Sequence, residues 1–205
     1  KAPDITLERR AAAAAIMTAV DDKALVVASL GTPNGDVAGA RDRPLNYYLR
    51  GAMGCGSSLA LGLALAQPER RVIAFLGDAE LLMNAGSLAT VGVMKPTNLA
   101  IVVMDNERFG ETGLQKSHTS FGIDIAMMAK GAGFWSAVTV RTAAELEVAV
   151  RAITGGQGPS LHVIKVKAER PARVKLPYDA VWGKNRFREA LLGPEIPFDL
   201  APELL

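Results

Sequence analysis

The chain has 205 residues, 49% of them hydrophobic and 21% charged, which is the composition of a globular domain able to bury a core without disulfides. A net charge of +2 with Lys and Arg scattered leaves no footprint for nucleic acid, and one cysteine with two histidines excludes an internal disulfide or a zinc array. No apolar run reaches the roughly 18 residues that cross a bilayer.

Arg9 to Val20 runs basic then apolar like a signal peptide, but Asp21-Asp22-Lys23 and a strand pattern follow at once. It therefore reads as an alanine-rich opening helix capped by Thr6, and the chain as cytoplasmic. Ala24–Leu30 predicts a buried strand ending in the turn-rich loop Gly31-Thr32-Pro33-Asn34-Gly35, and Asn46–Leu49 a short strand. Gly51–Ala66 predicts a helix built almost wholly from small side chains. Its glycines cost it intrinsic stability, so its backbone must approach a neighbour closely, either another element or a bound ligand.

Arg71–Leu76 and Asn98–Met104 are apolar strands joined by one crossover helix over about Glu80–Val93. Arg108–Ser120 reads as a loop, with flexible points at Gly110, Gly113 and the following Gly122. A short helix (Phe121–Ala132), a strand (Trp135–Val140), a helix opened by the capping box Thr142…Glu145 and a last strand (Ser160–Val166) follow. This alternation predicts a single doubly wound, mostly parallel α/β sheet with helices on both faces and no internal repeat. The predicted domain spans residues 1–167, followed by a Pro-rich tail over 168–205. There Pro171, Pro177, Pro194, Pro197 and Pro202 argue against long regular elements. Trp182 and Phe187 would anchor this tail on its own domain or on a partner.

Asp78 follows Gly77 at a strand end, where a lone aspartate is ordinarily a helix cap, and a lone Asn106 is ordinarily a turn residue. Together they are more specific. Adjacent parallel strands deliver an acidic and an amide oxygen, 28 residues apart, to the edge where open α/β sheets bind ligands. Such oxygens beside a helix N-terminus suit a hard cation bridging to a diphosphate. Neither G-x-x-x-x-G-K-[ST] nor a dinucleotide-type G-x-G-x-x-G is present. His118 is either a loop histidine bonded locally or a group that contacts a substrate acid and passes a proton, and Glu111 shares its loop. His162 alternates within the last strand and reads as structural, and Cys55 packs in the glycine-rich turn.

Gly77-Asp78-Ala79 with Asp105-Asn106 about thirty residues on resembles the thiamine-diphosphate motif, usually Gly-Asp-Gly ending in Asn-Asn. Arg43–Tyr48, Gly51–Gly54, Gly86–Thr90, Phe109–Gly113 and Gln115–Thr119 extend the resemblance, over roughly Ala24–Val166, to sulfopyruvate and phosphonopyruvate decarboxylases. The resemblance implies that Asp78, Asn106 and the Arg108 carbonyl hold Mg²⁺, and that the N–H groups of Ala79 and Glu80 meet the diphosphate. Gly31, Thr32 and Gly77 join this cofactor-binding set. Met53 would wedge under the cofactor, with the Gly51 carbonyl and Met53 N–H at its aminopyrimidine edge; the plain reading of Met53 is core packing. The departures are Ala79 for the third glycine, Asp105 for the first asparagine, and no proline after Gln115.

The family's catalytic glutamate beside the aminopyrimidine lies on a different domain, for which these residues leave no room. The resemblance therefore implies the diphosphate-binding (β) subunit of a two-chain enzyme, with a pyrimidine-domain (α) partner in an α2β2 assembly. The implied reaction is non-oxidative decarboxylation of a 2-oxo acid, a 3-substituted pyruvate, to an aldehyde and CO₂. Lys116 and Arg108 are candidates to face an anionic side group. The alternatives are an acetolactate-synthase-like carboligase and a non-catalytic thiamine-diphosphate-binding module.

Overall fold

The apolar runs become fully buried strands because each is covered by helices on both faces. The computed structural model describes residues 5–169, 172, 174–177 and 179–194. In chain order these form α1 (Arg9–Ala19), β1 (Leu25–Ala28), α2 (Thr32–Arg41), β2 (Asn46–Tyr48), α3 (Gly56–Ala66), β3 (Val72–Gly77), α4 (Asp78–Met83), α5 (Gly86–Met94) and β4 (Leu99–Asp105). Then come β5 (Arg108–Phe109), β6 (Gln115–Lys116), a 3-10 turn (His118–Phe121), α6 (Ile125–Gly131), β7 (Ser136–Val140), α7 (Ala143–Gly155), β8 (Ser160–Lys165) and α8 (Ala180–Leu192). The main sheet has the order β2-β1-β3-β4-β8-β7 and every pairing in it is parallel, as the doubly wound reading expects.

Strand alternation splits the core in two. Leu25, Val27, Ala74 and Ile101 face the layer containing α3, α5 and α6, while Val26, Ala28, Phe75 and Val102 face α1, α2 and α7. No helix among the described residues is long and apolar enough to cross a membrane.

Several local expectations are corrected. Thr6 does not cap α1, whose N-cap is Glu8 without a side-chain bond. The preceding Leu7 is drawn into a parallel bridge with Val166 instead. The Gly31–Gly35 loop is the start of α2, with Gly31 at φ +87° as N-cap and a proline in the first turn. The small-residue helix begins only at Gly56, since Gly51 and Gly54 take left-handed φ of +68° and +87° and turn the chain before it.

The single crossover helix is two helices. Asn84 leaves helical geometry (φ −133°, ψ 52°), and its side chain bonds the Gly54 carbonyl at 3.0 Å instead. Residues 108–120 contain a short antiparallel hairpin and a 3-10 turn rather than an open loop. In the tail, Pro177 and Pro194 flank a 13-residue helix without interrupting it. Asp179 caps that helix through the Val181 and Trp182 N–H groups, and Phe187 packs edge-on to Tyr47 of β2. Trp182 stays half-exposed under Arg186, and Pro171, Pro197 and Pro202 lie outside the described residues.

The close approach foreseen for α3 holds at Gly56, where an added Cβ would sit 2.5 Å from Leu76 Cδ2. It does not hold at Gly62, which is exposed and has open space around it. Gly62→Ala should therefore raise stability by about 0.5–1 kcal/mol through helix propensity alone, measured by chemical denaturation of the isolated chain.

Candidate active site

The chain reverses its march across the sheet between β1 and β3, because β2 lies on one side of β1 and all later strands on the other. Open sheets bind ligands at the carboxyl ends of strands flanking such a reversal. A cleft of about 560 Å³ opens there. It is lined by Gly31 and Thr32 after β1, Gly77, Asp78, Ala79 and Glu80 after β3, Asn106 and Arg108 after β4, together with Met53, Glu111 and His118. Of the candidate residues Gly51, in the turn before Met53, and Lys116 are absent from its wall.

Register explains why Asp78 and Asn106 line one cleft. Gly77 pairs with Met104, which puts Asp78 level with Asp105 and Asn106 one residue beyond on the neighbouring strand. Asp78 is buried and accepts hydrogen bonds from the Ser117 and Thr119 hydroxyls on one carboxylate oxygen, the latter at 3.0 Å. Thr119 also lies 2.8 Å from Asp105 Oδ1, so one hydroxyl bridges two buried carboxylates. Burial first, and the Asp105 charge second, push Asp78 up to about 6.

Asn106 Oδ1 accepts from the Arg108 N–H at 3.0 Å, an Asx turn that fixes the amide and leaves its second lone pair unused. Between them Glu107 has φ +59°, a conformation costly for a residue with a Cβ. Lys165 holds the two flanking acids, at 2.7 Å from Asp105 and 2.8 Å from Glu107. Burial opposes the charge of Lys165, but these two partners outweigh it and hold the ammonium above its usual value.

Across the cleft the buried Glu80 carboxylate accepts from the Gly54 and Gly56 N–H groups, both at 3.2 Å, on the same Oε1. Its second oxygen is buried without a partner, and burial raises its pKa against those two bonds. Ala79 is helical, so losing the motif's third glycine forces no positive φ. Helix α4 is only six residues long and offers local N–H groups rather than a large dipole.

Hairpin β5–β6 forms the remaining wall. Phe109 packs edge-on to His118, with ring centroids 6.4 Å apart, and Glu111 reaches Gly31. Arg108 lines the cleft, whereas Lys116 lies outside it, over the Phe121 ring at 5.8 Å, and is corrected as a pocket cation. A neighbouring basin of about 780 Å³ shares Gly31, Thr32 and the hairpin tip but takes its far wall from Arg9, Arg10, Glu169, Ala172 and residues 174–176. His162 is buried against Ser160, and burial lowers its pKa to about 4.

Sequence reasoning assigned no role to Ser117, Thr119, Lys165, Asn84 or the Glu80 side chain. A lysine closing a buried strand, and hydroxyls at alternate positions 117 and 119, were the available signals.

The donors fit a hard cation. Among the described residues no group of three His, Cys, Asp or Glu is placed to hold a metal. The set implied by the resemblance would be the Asp78 carboxylate, the Asn106 amide oxygen and the Arg108 carbonyl, whose residues all line the cleft, and this is the oxygen chemistry magnesium takes alongside phosphate. Two buried acids sharing Thr119, with lysine only on the Asp105 side, leave Asp78 the natural place for added positive charge.

Residues 36–164 match the family described as thiamine pyrophosphate enzyme, C-terminal TPP binding domain. The sulfopyruvate decarboxylase subunit beta of Methanocaldococcus jannaschii is 40% identical over 132 residues, covering 64% of this chain and 69% of that one. The phosphonopyruvate decarboxylase of Streptomyces viridochromogenes is 33% identical over 153 residues, 75% of this chain but 38% of that protein. Among solved structures, the thiamine diphosphate-dependent 4-hydroxybenzoylformate decarboxylase of Rhodococcus jostii RHA1 superposes with a TM-score of 0.70 at 21% identity. That match covers 83% of this chain and 34% of the solved one, so the chain spans about a third of its length. The chain belongs to the thiamine pyrophosphate enzymes, as their C-terminal TPP-binding domain.

Proposed function

We propose that this chain is the diphosphate-binding subunit of a thiamine-diphosphate- and Mg²⁺-dependent decarboxylase acting on a 3-substituted pyruvate, of the sulfopyruvate or phosphonopyruvate kind. The observation that carries the reading is the single cleft in which eleven of the thirteen candidate residues converge at the reversal between β1 and β3. Two relatives whose names specify a pyruvate bearing an anionic 3-substituent favour this over acetolactate-type carboligation.

In this reading Asp78, Asn106 and the Arg108 carbonyl hold Mg²⁺, and the Ala79 and Glu80 N–H groups bond diphosphate oxygens. Met53 backs the cofactor with an apolar wall, with the Gly51 carbonyl and Met53 N–H at its ring edge; Gly31 and Thr32 close the opposite side. When bound, thiamine diphosphate supplies the nucleophilic carbon and electron sink that release CO₂ from a 2-oxo acid. Phe109, Met104 and Leu82 keep water from the reacting end. Arg108 faces the substrate's anionic group. His118 would hold a proton at its ring within the cleft, available to the reacting end, and Glu111 at the hairpin tip would orient the substrate.

The glutamate that activates the aminopyrimidine comes from a pyrimidine-domain partner in an α2β2 assembly. Co-expression with such a partner, followed by CO₂ and aldehyde assay on 3-sulfopyruvate and 3-phosphonopyruvate with Mg²⁺ and cofactor, tests this. Turnover only in the complex is expected. Condensation products formed in preference to free aldehyde when a second carbonyl compound is added would favour the carboligase. No CO₂ from either acid in a complex that binds cofactor would leave the binding-module reading.

A further inference from the structure

Met53 sits in a turn that cannot hold itself. Left-handed glycines stand on either side of it, Gly51 at φ +68° and Gly54 at φ +87°, and the turn's own backbone bond is a single 3.2 Å contact from Cys55 N–H to Ala52 O. Its grip comes from α4. Glu80 Oε1 accepts from the N–H groups of Gly54 and Gly56, while Asn84, the non-helical residue that ends α4, donates its amide to the Gly54 carbonyl. Gly56 is pressed against Leu76 of β3, and Gly54 against the Met83 and Asn84 side chains, so the turn is seated as well as bonded.

We infer that Glu80 and Asn84 are positioning residues that tie the Met53 turn to the helix whose first residues hold the metal and diphosphate, and so set the spacing between the two ends of the cofactor site. This inference rests on the thiamine-diphosphate reading above. Asp78 and Glu80 lie in the first turn of α4 and Asn84 ends that helix, so the wedge and the metal ligand are tied to one short segment. The buried, unpartnered Oε2 of Glu80 makes no contribution to the grip, so an amide can replace the carboxylate without losing a bond.

The test compares Glu80→Gln with Glu80→Ala. In the ligand-free chain, amide exchange at Gly54 and Gly56 should quicken at least about tenfold in E80A and stay near wild type in E80Q. In the complex with its partner, calorimetry with Mg²⁺ and thiamine diphosphate should show E80A binding about tenfold more weakly and E80Q within about threefold of wild type. With Mg²⁺ and inorganic diphosphate, which lacks the rings, all three should agree within about twofold. Equal loss of both probes would mean that the residue merely supports α4 and would overturn the inference, as would unchanged exchange in E80A. If E80A fails to fold, Asn84→Leu applies the same two readouts from the carbonyl side of the turn. A wild-type complex that binds neither probe overturns the cofactor reading itself, and the exchange data separate that failure from a failure of the clamp.

Discussion

Asp78→Ala abolishes Mg²⁺-dependent cofactor binding, with a loss beyond the about 10–100-fold that removal of an outer-shell partner costs. Calorimetric titration with Mg²⁺ present and absent measures it. The informative companion is Asp78→Asn, which keeps an oxygen to accept from Ser117 and Thr119 but removes the charge. In the native fold this carboxyl is raised to about 6 by burial and by Asp105, above its value in the unfolded chain. A raised acid costs the fold nothing below its unfolded pKa, an increasing amount as pH climbs toward 6, and its full amount above that. Asp78→Asn should therefore stabilise the metal-free chain by about 1–2 kcal/mol at pH 7, the difference fading toward pH 4. A residue serving only as a helix cap would instead lose about 0.5–2 kcal/mol on Asp78→Ala with cofactor affinity unchanged. Lost affinity with gained stability marks a side chain kept for ligand binding at the expense of the fold.

The second large effect is expected at Lys165. Lys165→Met keeps the volume and removes the only cation among the described residues that touches Asp105, leaving a buried carboxylate uncompensated. About 3–5 kcal/mol of stability should be lost, measured by denaturant unfolding. Glu107 loses its ion-pair partner too, beside the left-handed backbone between Asn106 and Arg108. Adding Asp105→Asn should recover most of the stability, because the unpaired charge is then gone, while Mg²⁺ affinity stays reduced. A double variant no more stable than Lys165→Met alone would show that the cost lies in packing.

The sheet was legible because its strands are continuous apolar runs, a pattern that only two-sided burial explains. The Asp78 and Asn106 pair was legible for a related reason, since parallel strands of similar length bring their following residues to one edge. Other features depend on contacts that sequence spacing cannot express. Glu80 reads as one more acid in a first helical turn until Gly54 and Gly56, 24 to 26 residues earlier, come to lie beside it. Lys165 meets Glu107 across 58 residues. The break at Asn84 was signalled only by two weak helix formers, Asn84 and Gly86, and a distant carbonyl decides it. In the tail, a count of prolines misled where their spacing did not, since 16 residues separate Pro177 from Pro194, room enough for the capped helix.

The hairpin β5–β6 pairs only with itself and stands outside the six-stranded sheet. Its tip, residues 110–113, is mostly exposed yet borders both basins. Under the proposed function, changes at this tip would alter reactant choice with no repacking of the core and no movement of Asp78 or Asn106. One scaffold of this kind would then serve a succession of acids, each admitted by a different four-residue rim.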